Sequence, residues 1–223
     1  MPSLYQILLI VHIVAGTTGL LSGTLAAIVK KGSSAHKVSG QFFFWGMLLA
    51  SIAALVLSNL PGHHNLFLFA VGGFTLYMII SGYRVIFAKR NAKIKLAPNY
   101  LTDYTIQLLG ALFGGFLLWM GIKSLLIGET FGIVPIVFGV ININFARVDF
   151  QLIYFKKPVQ SFWMRNHIVR MMGGMIASYT AFLVVNIKIE ANWILWLAPS
   201  LIGSILITYF IRKFIPVKKL PKL

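Results

Sequence analysis

Residues 4–31 read LYQILLIVHIVAGTTGLLSGTLAAIVKK, an apolar run closed by two lysines. Within it, residues 4–29 contain no Asp, Glu, Lys or Arg. A helix needs about 20 apolar residues to cross a hydrocarbon core of about 30 Å. The stretch therefore predicts a membrane-spanning helix with its basic flank, Lys30 and Lys31, after its C-terminal end. A secretory leader would have basic residues before its apolar run, and none precedes this one. We therefore expect this helix to be retained.

The same pattern recurs along the chain. Seven apolar runs are predicted to span the membrane, at residues 4–29, 38–60, 65–88, 101–122, 130–155, 161–187 and 193–214. The sequence is 58% hydrophobic and 11% charged, whereas a soluble domain is about half apolar and a quarter charged. Run length, together with the lack of two-residue alternation, favours helices over a barrel. The prediction is an all-α polytopic membrane protein, with one seven-helix domain over 1–215 and a basic tail over 216–223.

The basic residues predict the orientation of the chain. Successive connections between spans lie on opposite sides of the membrane. This alternation puts eighteen of the twenty Lys and Arg residues on one side, and only Lys123 and Lys188 on the other. The eighteen are Lys30, Lys31, Lys37, Arg84, Lys89, Arg90, Lys93, Lys95, Arg147, Lys156, Lys157, Arg165, Arg170, Arg212, Lys213, Lys218, Lys219 and Lys222. Basic residues accumulate in cytoplasmic loops, so we expect the N-terminus outside and the C-terminus, with its tail, inside.

Composition excludes several classes of function. The net charge of +16 is divided among the inner loops and the tail. We therefore expect anionic membrane lipids as partners, and we do not expect nucleic acid. The chain has no cysteine, which rules out disulfides, thiol catalysis and cysteine-ligated zinc or iron–sulfur centres. There is no HExxH motif for a zinc hydrolase.

Three histidines are predicted to lie at or near membrane depth: His12 in span one, His36 at the start of span two and His167 in span six. Ionisable groups in a membrane usually face the bundle interior. Imidazoles on facing helices ligate haem iron, which makes His12 and His167 candidate metal ligands and His36 a further haem or quinone contact. The same three residues also fit a proton relay or simple hydrogen bonds between helices, and these alternatives stay open.

A second polar group gathers near the inner side of the membrane. It comprises Asp103, Arg147, Asp149, Arg165 and Arg170. An unpaired charge there would be strongly destabilising, so Asp149 is predicted to pair with Arg165 or Arg170. Arg165 and Arg170 are also candidate partners for a cofactor carboxylate such as a haem propionate. Asp103, Arg147 and Asp149 form a predicted ion-pair or proton-relay group. The alternative is a latch that holds spans four, five and six together.

Small residues form stripes on two of the spans. Gly16, Gly19 and Gly23 follow His12 on one face of span one, and Gly110 and Gly114 repeat the spacing in span four. Small residues let helix backbones approach closely in lipid. These stripes therefore predict close helix packing.

Several motifs together resemble a known family. They are His12 with its glycine stripe, Lys30-Lys31-Gly32, His36-Lys37-Val38-Ser39-Gly40, His167, Met172-Gly173-Gly174 and Thr180-Ala181-Phe182. The chain resembles an uncharacterised bacterial family of multi-pass membrane proteins, known only as a domain of unknown function. The resemblance implies a bacterial cytoplasmic membrane location and draws attention to the three histidines, but it implies no substrate or cofactor.

Three functions follow as expectations. The first is a small integral membrane redox protein that binds b-type haem or quinone through His12, His36 and His167. The second is a proton-coupled small-molecule permease that uses the same histidines with Asp103 and Asp149. The third is a non-catalytic membrane scaffold. Beyond lipids, a redox partner or a second copy of the chain in a homo-oligomer is a possible partner.

Overall fold

The computed structural model describes residues 3–93, 100–154, 160–190 and 192–215, with side chains over 3–86, 101–151, 163–190 and 193–215. Over these residues the chain forms seven α-helices, one short 3-10 helix at Thr130–Gly132 and no strand. The helices are α1 Leu4–Ile28, α2 Ser34–Leu57, α3 Leu66–Lys93, α4 Tyr100–Leu126, α5 Ile133–Tyr154, α6 Gln160–Asn186 and α7 Asn192–Phe214.

All seven helices are long and apolar enough to cross a membrane. The predicted all-α architecture with seven candidate spans is therefore confirmed. The orientation of the termini stays a prediction. The predicted tail at 216–223 and the basic residues Lys95, Lys156 and Lys157 lie outside the described residues.

Local sequence sets where the first two helices begin. The Ser3 hydroxyl accepts from the backbone N–H of Gln6, and the Gln6 side chain accepts from the backbone N–H of Ser3, which makes a capping box. Ser33 caps α2 by accepting from the backbone N–H of His36 at 3.2 Å. Because of this cap, α2 begins at Ser34, four residues before the predicted start of span two, and His36 lies in its first turn.

The central helix is α3. It contacts α2, α4, α5 and α6. In its most apolar stretch 61% of the residues are buried, against 11% in the corresponding stretches of α1 and α7. The helices α1, α2, α3 and α6 close into a ring, since each contacts the next and α1 contacts α6.

Two apolar clusters fill the interior. The ring cluster comprises Phe43, Phe44, Met47 and Ile79, with Met171 and Met175 packed against it. The α3–α5–α6 cluster comprises Phe74, Met78 and Ala177, with Phe138, Ile141 and Phe145 packed against it.

Sequential helices run antiparallel, which brings most described basic residues to one end of the bundle. Ala26 near the end of α1 lies beside His36 at the start of α2, and Gly82 of α3 lies beside His167 near the start of α6. We call this the basic end, because the ends of α1, α3, α5 and α7 meet the starts of α2, α4 and α6 there. Lys123 lies at the opposite end, near the end of α4.

The predicted glycine stripe of α1 packs against α2. A Cβ added at Gly23 would lie 2.6 Å from the ring of Phe43. On α2, a Cβ added at Gly46 would lie 2.8 Å from the carbonyl oxygen of Ala15. Only the absence of a side chain permits so close an approach of the two backbones. Close packing of this stripe is therefore confirmed.

Lys31 covers the C-terminal end of α1. Its Nζ donates to the carbonyl oxygens of Ala26 and Ala27, at 2.8 and 2.5 Å, and lies 4.5 Å from the ring centre of Phe210 on α7. These carbonyls have no partner within the helix. Burial of the amine, and then the nearby positive charge of Lys213, lowers the pKa of Lys31 below its usual value of 10.5.

Candidate functional site

His36 and His167 meet at the basic end of the ring of helices. Their ring centroids are 6.5 Å apart and the ring planes are nearly perpendicular, at 84°. His36 lies in the first turn of α2 and His167 in the second turn of α6. Both side chains are half-buried. We call these two residues the histidine pair.

A backbone carbonyl of a neighbouring helix orients each ring of the pair. Nδ1 of His36 lies 3.0 Å from the carbonyl oxygen of Ala26, and Nδ1 of His167 lies 3.1 Å from that of Gly82. A carbonyl oxygen only accepts hydrogen bonds, so Nδ1 is the donor and carries the proton in both rings. In the neutral ring the lone pair is then on Nε2. This is the usual arrangement of a metal-binding histidine, in which the other ring nitrogen donates to a carbonyl or carboxylate.

His12 does not join the pair. Its Nδ1 lies 2.9 Å from the carbonyl oxygen of Ala50, fourteen residues after His36 on α2 and about 21 Å away along the helix axis. The connection between α1 and α2 is short, so the end of α1 lies next to the start of α2, and the start of α1 lies at the far end. The two candidate metal ligands, His12 and His167, are therefore not brought together. The residue beside His167 is His36.

The interior side of the histidine pair is apolar. Met171 and Met175 follow His167 on the same face of α6 and pack against the ring cluster. Phe44, two turns after His36, stacks on Tyr83 with ring centroids 4.1 Å apart. The outward side leads to the basic end. The pair thus lies between an apolar helix interior and a positively charged surface.

Arg170 and Asp149 form the second site. Arg170 is 1% exposed, and its Nη2 lies 2.8 Å from Oδ2 of Asp149. Nη2 also donates to the carbonyl oxygen of Phe145, and Nη1 to Oγ of Ser81, at 3.2 and 3.1 Å. Oδ1 of Asp149 accepts from Nδ2 of Asn166 at 2.9 Å. The predicted pairing of Asp149 with an arginine of α6 is confirmed for Arg170.

Aromatic rings cover the faces of this guanidinium. The carbon of the guanidinium lies 4.2 Å from the ring centre of Phe145 and 5.3 Å from that of Tyr77. The hydroxyl of Tyr77 in turn donates to Oε1 of Gln107 on α4 at 2.8 Å. A buried ion pair is tolerated only when further hydrogen bonds satisfy its remaining atoms. Residues of α3, α4, α5 and α6 together provide such bonds, except at Nε of Arg170, which has no hydrogen-bond partner among the described residues.

The other predicted polar residues lie apart from this site. Asp103 pairs with Arg84 of α3, at 2.6 Å between Oδ1 and Nε, in a partly exposed position. Arg147 and Arg165 are exposed, and Arg147 donates to Asn144 on its own helix at 3.4 Å. The predicted group of Asp103, Arg147 and Asp149 is thus divided among three locations. Helical periodicity separates two of these residues, because side chains two positions apart on α5 point in different directions. Arg147 faces outward and Asp149 inward.

Within the described part of the chain, no group of three or more histidine or acidic side chains is placed to hold a metal ion. The histidine pair brings two imidazoles together without a third such side chain. Comparison with protein-family models, with curated proteins and with solved structures finds no match to the chain. The family resemblance therefore stays a prediction from motifs.

Proposed function

We propose that the protein is a small integral membrane redox protein that holds b-type haem between His36 and His167. The supporting observation is the spacing of the two rings. Imidazole–metal bonds are about 2 Å long, so two imidazoles that bind the same metal ion would have ring centres roughly 6 Å apart. The ring centres of His36 and His167 lie 6.5 Å apart, a spacing at which the two residues would hold the iron together.

The chain's own residues have distinct roles in this proposal. The carbonyls of Ala26 and Gly82 hold the two rings in the tautomer that presents Nε2. Arg165, exposed near the same end, is the candidate partner for a propionate. Arg170 is not, because its guanidinium is already bonded to Asp149. When bound, haem supplies one-electron transfer at a potential that its ligands and surroundings set.

The proposal also places the site in the cell. The charge asymmetry of the loops favours an orientation with the basic end in the cytoplasm, and the motif resemblance implies a bacterial cytoplasmic membrane. The histidine pair then lies toward the cytoplasm. Electrons would be exchanged with a partner that approaches from that side, and the basic surface favours an acidic partner.

Visible spectroscopy of the purified full chain tests the assignment. The protein is expressed with ample haem, purified in detergent, and measured oxidised and after reduction with dithionite. We expect a Soret band and a reduced α-band, both lost in His36→Ala and in His167→Ala. His12→Ala is the matched control, because His12 makes the same kind of carbonyl hydrogen bond about 21 Å away along α2.

Two results would contradict the proposal. One is a colourless wild-type protein despite full haem supply. The other is a spectrum that depends on His12 but not on His36. Size-exclusion chromatography of each variant separates loss of haem from loss of the fold.

A further inference from the structure

Two lysine side chains lie near one another where α1 and α7 end. Nζ of Lys31 lies 4.5 Å from the ring centre of Phe210 on α7. Lys213 follows Phe210 by three residues, so the two share one side of α7. The positive charge of Lys213 is close enough to contribute to the lowered pKa of Lys31. Two like charges at this separation repel each other unless an anion lies beside them.

The acidic side chains of the protein, all of them in the described part of the chain, lie elsewhere. The chain has four acidic residues. Asp103 and Asp149 are each paired with an arginine. Glu129 and Glu190 follow the ends of α4 and α6, at the opposite end of the bundle. The anion that complements the two lysines therefore comes from outside these side chains.

Both ammonium groups keep hydrogen-bond donors for such an anion. A lysine ammonium has three N–H donors. Lys31 uses two of them on the carbonyl oxygens of Ala26 and Ala27, and Lys213 uses one on the hydroxyl of Tyr209 at 2.9 Å. Among the described residues this leaves one donor on Lys31 and two on Lys213. Phosphate oxygens accept several charge-assisted hydrogen bonds of this kind.

The two lysines lie at the mouth of a crevice between α1 and α7. Both helices contact α6, whereas over the described residues α1 and α7 do not contact one another. The surface of α6 between them is therefore the floor of the crevice. Each wall carries exposed apolar side chains within two turns of the lysines, which are Leu25 and Ile28 on α1 and Leu206 and Tyr209 on α7.

The depth of the lysines matches that of lipid headgroups. Lys31 lies three residues after the end of α1, and Lys213 is the last residue but one of α7. Because α1 and α7 are both long and apolar enough to cross a membrane, their ends lie at the boundary between hydrocarbon and headgroups. A lipid supplies both an anionic group at this level and apolar chains below it. A soluble anion supplies only the first.

We propose that Lys31 and Lys213 bind the phosphate group of one anionic membrane lipid, whose acyl chains lie in the crevice between α1 and α7. The inference is independent of haem binding. It differs from the general attraction of basic loops to a membrane, because it assigns one lipid to one place. The site adjoins the histidine pair, since the carbonyl oxygen of Ala26 accepts from Lys31 and also lies 3.0 Å from Nδ1 of His36.

Native mass spectrometry of the full chain tests the proposal. The protein is released from detergent micelles that contain phosphatidylglycerol or phosphatidylcholine with the same acyl chains, and the lipid molecules that stay bound are counted. We expect one phosphatidylglycerol to be retained in preference to phosphatidylcholine. Lys31→Gln combined with Lys213→Gln should weaken its retention roughly tenfold, because both cations of the site are lost.

A second double variant is the matched control. Lys37 and Arg147 are exposed basic residues on α2 and α5, and their replacement by Gln removes the same net charge. We expect retention to fall less than about threefold, because salt screens exposed charges that lie far from the site. Equal losses in the two double variants, or equal retention of the two lipids by the wild type, would overturn the proposal.

Inorganic phosphate distinguishes a lipid from a soluble anion. Phosphate added in large excess over the lipid should leave the retained phosphatidylglycerol in place, and its displacement by phosphate would overturn the assignment to a lipid. Lys213 is exposed, so Lys213→Gln alone keeps the test available should the loss of Lys31 disturb the end of α1. That variant should weaken retention about threefold, and unchanged retention would count against the proposal.

Discussion

His167 and Arg170 lie one turn apart on α6 and bind consecutive residues of α3. Nδ1 of His167 donates to the carbonyl of Gly82, and Nη1 of Arg170 donates to Oγ of Ser81, both at 3.1 Å. The histidine pair and the buried ion pair are therefore positioned by the same contact between two helices. Any change in the spacing of α3 and α6 at this point is expected to disturb both sites.

Gly82→Ala tests the importance of that contact. A Cβ at Gly82 would lie 2.6 Å from Cβ of Arg170, an atom fixed close to the backbone of α6, so the two helices must separate. We expect a loss of about 1–3 kcal/mol in the free energy of unfolding, as for other overpacked sites. Gly40→Ala on α2 is the control, since a Cβ there meets nothing within 4 Å. It should instead gain up to about 1 kcal/mol from helix propensity. Equal effects of the two substitutions in denaturant titrations would contradict this interpretation.

Asp149→Asn removes one charge of the buried ion pair. Arg170, 1% exposed, would keep an uncompensated charge inside the bundle. We expect a loss of about 3–5 kcal/mol, which the double variant Asp149→Leu with Arg170→Met should largely recover. For comparison, Asp103→Asn breaks a pair whose side chains are 22% and 15% exposed, and we expect at most about 1 kcal/mol there. A loss for Asp149→Asn no larger than for Asp103→Asn would show that the network does not depend on the charge.

Tyr77→Phe removes the hydroxyl that donates to Gln107. The amide of Gln107, 6% exposed, would then lose its described partner. We expect a loss of about 1–3 kcal/mol in the free energy of unfolding, because a buried acceptor would be left unsatisfied. Tyr77→Phe combined with Gln107→Leu should recover part of that loss, and an additive effect of the two substitutions would argue against their coupling.

Lys31 should lose its proton below the usual lysine pKa of 10.5, because burial and then Lys213 disfavour its charged form. A pKa that is lower in the folded state than in the unfolded state means that folding disfavours the proton. The penalty is present below the folded pKa and disappears as the pH rises from that value to 10.5. Isotope-edited NMR of the Lys31 amine measures the titration. Lys213→Met should raise the Lys31 pKa part of the way, whereas Lys123→Met at the opposite end should leave it unchanged.

Some elements of the site could be predicted from the sequence. Asp149 is one of only four acidic residues in the chain, and arginines at similar membrane depth follow it, so an ion pair could be predicted even though Arg165 and Arg170 were not distinguished. The Arg84–Asp103 pair was missed. The available signal was that consecutive helices joined by a short connection pack antiparallel and bring such residues near each other.

The buried polar atoms could not be predicted from the sequence in the same way. Asn142 and Thr180 lie in apolar runs that also contain many small and polar residues, and nothing in their spacing predicts that their polar atoms are buried without a hydrogen-bond partner among the described residues. Their significance depends on which neighbouring helix each one faces. Arg147 and Asp149 make the same point, since two residues of separation on a helix turns one outward and the other inward.

The number of helices, their lengths and the unequal distribution of basic residues were determined by the sequence itself, because each depends on composition summed over a local segment. Which imidazoles meet was decided only by the tertiary structure. His36 and His167 are adjacent because α1, α2, α3 and α6 close into a ring, whereas His12 is held at the other end of the same antiparallel pair of helices. That outcome depends on the rotation and approach of whole helices, which glycines such as Gly46 and Gly82 permit and which no single segment encodes.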